Sequence, residues 1–184
     1  MSHPGAPERY SRPAIWLHWS VALPILVMIP AGILMTDEAL PRATRDTLFL
    51  LHKNLGTLLI PLIALRIWVR LRHPAPPLPA SMPRWQVRAA GLSHGLLYAL
   101  LVVMPLSGVI RVRAGGFPIE MLGLSGAGRI VPRSDALAEW ASLVHWASGL
   151  LLLAVLALHL AAAAHHGLIL RDGIWQRMSP WRRR

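Results

Sequence analysis

Residues 149–158 read GLLLLAVLAL, ten positions without one polar side chain. A helix lying on a water-soluble bundle must turn a polar face to solvent every three or four residues, and this run offers none. Residues 56–65, GTLLIPLIAL, carry nothing more polar than Thr57. Apolar stretches over about 14–35, 48–70, 91–112 and 141–168 are each long enough to cross roughly 30 Å of hydrocarbon at about 1.5 Å per helical residue. The expected fold is therefore all-α and integral to a membrane: a four-transmembrane-helix up-down bundle forming a single membrane domain over 1–184. A 54% hydrophobic composition and a mean hydropathy of +0.47 oppose a soluble helical bundle, the main alternative. Pro24, Pro30, Pro61 and Pro105 fall inside these spans, where neighbouring helices can satisfy the freed carbonyls, and they predict kinks. The first apolar run reaches bilayer length without a cleavage-type small-residue pattern, so it reads as a retained helix rather than a signal peptide.

A net charge of +11 would suggest nucleic acid if it formed one patch, but the charges cluster at the helix ends. Arg9, Arg12, Arg70, Arg72, Arg84, Arg88, Arg171, Arg177, Arg182, Arg183 and Arg184 fall on one side of the four spans. Arg42, Arg45, Lys53, Arg111, Arg113, Arg129 and Arg133 fall on the other. The positive-inside rule makes the richer side cytoplasmic, with both termini there, and leaves no role for nucleic acid. Asp37, Glu38, Asp46, Glu120, Asp135 and Glu139 lie on the outer side. The proline-rich stretch 71–86 belongs to a cytoplasmic linker over 71–90, and the outer loop covers 113–140. Within that loop AGGF and LSGAG read as turns, and Ser134 or Asp135 as the cap of the last helix. Trp16, Trp19, Trp68, Trp140 and Trp146 sit near span ends, as an interfacial aromatic belt requires.

Histidine inside hydrocarbon is costly and so points to function. In the up-down arrangement His18 and His94 lie toward the cytoplasmic end, and His52 and His145 toward the outer end. His159 follows His145 by fourteen residues, close to four whole helical turns, so one face presents two imidazoles about 21 Å apart in depth. His52 matches the level of His145, and His18 that of His159. Zinc or copper would want further ligands from cysteine or carboxylate, and the chain has no cysteine and no carboxylate in these spans. Haem iron takes two axial ligands on opposite faces of a flat apolar ring that fills a helical bundle, so two pairs predict two bis-histidine haems in the core.

Residue i+4 after each of the four is small, Ala22, Gly56, Gly149 and Ala163, leaving room for a porphyrin one turn along. His94 is followed by Tyr98; it is the main rival ligand, and the favoured reading is a group beside the ligands or their propionates. His3, His73, His165 and His166 read as solvated or boundary residues. Arg66 and Arg70 are placed to pair with propionates or to snorkel to the headgroups. Lys53, Arg111 and Arg113 form a cationic group at the outer end.

RYSRPAIWLHW (9–19), LHKNLG (51–56), RIWVRLRHPAPP (66–77), SHGLLYALLVVMPLSG (93–108) and VHWASGLLLLAVLALHLAAAAHH (144–166), in this order and spacing, resemble the bacterial cytochrome b561 family over nearly the whole chain. The resemblance implies a di-haem b protein of the inner membrane, with axial ligands on His18 and His159 for the inner haem and on His52 and His145 for the outer. It also implies an electron-transfer role, in some members a superoxide oxidase that passes electrons to ubiquinone. Lys53, Arg111 and Arg113 would then attract superoxide by electrostatic focusing. The competing readings are a haem-b anchor or relay subunit for a partner dehydrogenase, and a haem-free transporter with histidine proton relays.

Overall fold

The computed structural model describes residues 9–124 and 131–181. His3, Arg129, Arg182, Arg183, Arg184 and the LSGAG turn at 124–128 lie wholly or partly outside that set. The described residues form four long helices, α1 (Arg12–Leu34), α2 (Arg42–Arg72), α3 (Arg84–Ala114) and α5 (Asp135–Ala164), with a one-turn α4 (Glu120–Leu124) before the last. Each long helix is long and apolar enough to cross a membrane. The fold is thus all-helical with four potential membrane spans.

The helices outrun the apolar stretches at several ends: α2 begins at Arg42, α3 at Arg84 and α5 at Asp135. Hydropathy marks only the part fit for hydrocarbon, whereas backbone hydrogen bonding continues through polar residues until a cap or proline stops it. Pro41 and Pro83 stand at the N-caps of α2 and α3 in extended conformation. Ser11 caps α1, its hydroxyl accepting from the Ala14 N–H at 3.4 Å, and Ser134 caps α5, accepting from Leu137 N–H at 3.3 Å. Ser134 is thus the cap, with Asp135 in the first turn. Loss of a serine cap costs about 1 kcal/mol, so Ser134→Ala is expected to lower thermal unfolding by that order in a calorimetric or fluorescence melt. At the other end of α3, Gly116 at φ +83° takes the left-handed conformation that ends the helix. The last helix runs into a π-helical turn, His165–Leu170, which stops at Arg171 in left-handed backbone.

Two antiparallel hairpins make the bundle. In the first, Ala14 is opposite Arg66, and Met28 is opposite His52, so α1 and α2 run in opposite directions. Val21, Leu59 and Ile63 form its buried centre. In the second, α3 packs against α5 in the same sense, with Met104 opposite His145 and the Ala114 carbonyl accepting from the Ser134 N–H. Leu100, Leu152 and Val155 form its centre. The hairpins meet along α2 and α3. Trp16, Trp68, Trp140 and Trp146 are all exposed near helix ends, where an interfacial belt would hold them.

Candidate functional site

The two hairpins bring His52 of α2 and His145 of α5 face to face, ring centroids 6.2 Å apart and planes nearly perpendicular. The same device holds each ring. His52 Nδ1 donates to the Met28 carbonyl at 3.2 Å, and His145 Nδ1 donates to the Met104 carbonyl at 3.0 Å. A carbonyl oxygen can only accept, so the proton of each neutral imidazole sits on Nδ1 and the lone pair on Nε2. Ser107 Oγ lies a further 3.2 Å from His145 Nδ1. This is the tautomer a metal ligand needs, fixed by the kind of backbone partner that orients ligating histidines.

Glycines complete both seats. A Cβ on Gly32 would lie 2.9 Å from Cε1 of His52, and one on Gly108 would lie 3.1 Å from Cε1 of His145. Each glycine is four residues after the methionine whose carbonyl holds the ring, and the two segments read alike: MIPAG at 28–32 and MPLSG at 104–108. The seat of each ring thus lies on the neighbouring helix, not one turn along the histidine's own, and this repeat is the sequence signal for it. Gly56 and Gly149, the small residues one turn along, face the Met28 and Met104 methyl groups at 3.1 and 3.7 Å from a Cβ position.

At the other level three histidines gather. The ring against His159 is that of His94, centroids 5.5 Å apart, and both lie close enough to His18 to interact electrostatically. His18 is engaged by Arg66, whose Nη2 donates to Nδ1 at 3.0 Å. Guanidinium has no acceptor, so this Nδ1 carries the lone pair and the proton of neutral His18 is on Nε2, the reverse of the outer pair. Arg66 also donates to the Ala14 carbonyl at 3.4 Å and lies over the Tyr98 ring, while Arg70 lies over Tyr10.

The expected outer cations fall in different settings. Lys53 is bound to Glu120 at 2.7 Å and donates to the Pro118 carbonyl at 3.1 Å, while Asn54 donates to Glu120 at 2.7 Å and accepts from the Met121 N–H. This fastens α4 onto α2 beside His52. The hydrogen bond from Lys53 pulls the Glu120 carboxyl down to about 2. Arg113 donates to the Phe117 carbonyl. Arg111 is half-buried and close enough to His52 and His145 to act on both electrostatically. Elsewhere His73 hydrogen-bonds the Val69 carbonyl, and His166 is paired with Asp172 rather than simply solvated. The Asp172 carboxyl, which burial alone would raise, is lowered on balance by His166 and the Ile174 N–H.

A profile of the prokaryotic cytochrome b561 family matches residues 9–181, nearly the full length. The chain belongs to that family. Among its relatives, cytochrome b561 homolog 1 of Escherichia coli K12 is 28% identical over 96% of this chain and 99% of its own. The probable superoxide oxidase CybB of Yersinia pestis is 27% identical over 96% and 98%. Cytochrome b561 homolog 2 of Escherichia coli K12 is 28% identical over 97% and 95%. Membership in the cytochrome b561 family implies a prokaryotic membrane cytochrome with haem b and an electron-transport role. The outer imidazoles, their Nε2 lone pairs free and their Nδ1 protons committed to carbonyls, fit such a group. At the inner level the imidazoles are the right residue type, but Arg66 occupies the His18 Nδ1 that would have to carry the proton for Nε2 to ligate, so His18 as arranged does not fit a ligand's tautomer.

Proposed function

We propose that this cytochrome b561 family member carries two haems and transfers electrons from superoxide to a quinone. His52 and His145 would hold the outer haem, and His18 and His159 the inner. When bound, haem b would supply an iron centre that takes up and releases one electron at a time. The matched pair of imidazoles at the outer level, each set by a methionine carbonyl and a glycine, is the observation that carries the reading. At the inner level His18 would hold the group through Nε2 only if Arg66 left Nδ1, and the guanidinium could then pair with a propionate carboxylate. Each superoxide that loses one electron becomes dioxygen, and a quinone that gains two electrons and two protons becomes quinol. The name of the Yersinia relative supports this donor. The arginine distribution supports a cytoplasmic position for both termini, and the bacterial inner membrane is the proposed location.

Arg111 is the cation best placed to attract an anionic donor, because Lys53 is already compensated by Glu120. Superoxide from an enzymatic generator is expected to reduce the purified protein, visible at the Soret and alpha bands, and added superoxide dismutase to abolish it. Arg111→Gln should slow that reduction about tenfold at low salt, and Glu120→Gln, which releases Lys53, should quicken it. Both differences should shrink as ionic strength rises and the screening length falls from about 10 Å at 0.1 M toward about 3 Å at 1 M. Reduction that persists in the presence of dismutase, or that ignores both variants and salt, would remove superoxide as donor.

The Lys53 latch has its own pH dependence. Because the Glu120 carboxyl is held below its ordinary range, its contribution is fully present above about 4.5 and is lost only as pH falls through about 2. Amide exchange at Met121, whose N–H donates to Asn54, is therefore expected to stay slow at pH 4. In Glu120→Gln it should be quicker than in the unmodified protein at pH 4 and above, and the difference should vanish as pH falls through about 2.

A further inference from the structure

At the end of the bundle that carries both described termini, Arg9, Tyr10, Arg12, Trp16 and Ser179 line an open cleft of about 400 Å³. The C-terminal segment that walls it is fixed to α1 and its approach: Arg9 Nη2 donates to the Ser179 carbonyl at 2.6 Å, Trp19 Nε1 to the Met178 carbonyl at 2.9 Å, and the Tyr10 N–H to the Arg177 carbonyl at 3.4 Å. The cleft is thus a built feature rather than a gap between loose ends. Arg9 and Arg12 bring two guanidinium groups to its lining.

Among the described residues no carboxylate lines the cleft, and the single one at this end, Asp172, is paired with His166. Two arginines with no carboxylate partner among the described residues, at a water boundary, match an anion, and the planar fork of donors suits phosphate best. From the cleft, Trp16, Leu23, Val27 and Leu34 follow one another down α1 at offsets of seven, four and seven residues, each close to whole turns. All four are exposed, Trp16 at 63%. A phosphate held by the arginines would therefore have an apolar track leading from it along the helix into the hydrocarbon.

We propose that this cleft binds the headgroup phosphate of an anionic glycerophospholipid, with an acyl chain lying along the Trp16 to Val27 part of the stripe, about the depth of one leaflet. A headgroup bearing an ammonium is disfavoured because no carboxylate among the described lining residues is there to meet it. Phosphatidylglycerol has the required net negative charge, and its glycerol hydroxyls can meet Tyr10 and Ser179. The site is independent of the donor and acceptor of the electron-transfer reading.

The test uses the full chain in detergent, delipidated and then offered dioleoyl phosphatidylglycerol, phosphatidylcholine or phosphatidylethanolamine at equal mole fraction, with inorganic phosphate as a separate arm. Retention is read by native mass spectrometry and stabilisation by thermal melt. Phosphatidylglycerol should be retained and raise the melting temperature, the other two lipids retained about tenfold less, and phosphate alone should leave the melt unchanged. Arg12→Gln, at an exposed position, should reduce phosphatidylglycerol retention about tenfold, the worth of one charge-assisted contact. Arg9→Gln should do the same, and Arg84→Gln with Arg88→Gln, at the same end but outside the cleft, should not. Retention that survives Arg12→Gln, that falls equally in the Arg84 and Arg88 variant, or a melt shift reproduced by phosphate alone overturns the proposal.

Discussion

His52→Ala and His145→Ala are each expected to leave one haem per chain where the unmodified protein is proposed to hold two, and each to remove the same spectral component. That is the expected result of quantifying haem by its pyridine complex and recording reduced-minus-oxidised spectra. The two rings come from different hairpins but share one site, and each has its Nδ1 proton committed to a carbonyl, so neither can be replaced by a neighbour. His18→Ala and His159→Ala should remove the other component. His94→Ala decides the inner assignment, because the ring of His94 is the one packed against His159. Retention of both haems in His94→Ala, with loss of one in His18→Ala, supports His18 as ligand, and the opposite result transfers that role to His94. Two haems retained in His52→Ala would overturn the outer pair altogether.

Gly32→Val and Gly108→Val are expected to empty the outer site nearly as thoroughly as removal of the histidines. Even the first carbon of a side chain at Gly32 would stand 2.9 Å from the His52 ring, closer than van der Waals contact allows, and the ring cannot retreat without leaving the Met28 carbonyl. Overpacking costs about 1–3 kcal/mol and the lost hydrogen bond about 1 kcal/mol more, enough to displace an imidazole from a position that ligation requires within tenths of an ångström. Gly95→Ala, where a Cβ meets nothing within 4 Å, is the control and should keep both haems and the same melting temperature or a slightly higher one. Spectra unchanged in both valine variants would show that the glycines do not seat the rings.

These predictions separate what could be read from the chain from what could not. The four helices were legible because a bilayer imposes a length and a polarity on anything that crosses it, and runs such as 149–158 meet both without reference to any other residue. The fourteen-residue interval from His145 to His159 was legible for the same reason, since the period of a helix is local. Helix ends were less so. Hydropathy stops where the hydrocarbon would stop, whereas α2, α3 and α5 continue to Pro41, Pro83 and Ser134, whose caps depend on backbone geometry.

Only the tertiary structure decided which groups serve the histidines. MIPAG and MPLSG were visible as text, but their use depends on α1 lying antiparallel to α2 and α3 to α5 in registers that set Met28 opposite His52 and Met104 opposite His145. The structure likewise turned Lys53 from a free cation into the anchor of α4, and gave His18 a guanidinium neighbour 48 residues away. A membrane dictates composition and spacing along one helix, so the sequence by itself determined the spans and the depths of the imidazoles. Tautomer, seat and charge compensation arise between helices, through contacts a few ångströms long that no one-dimensional pattern specifies.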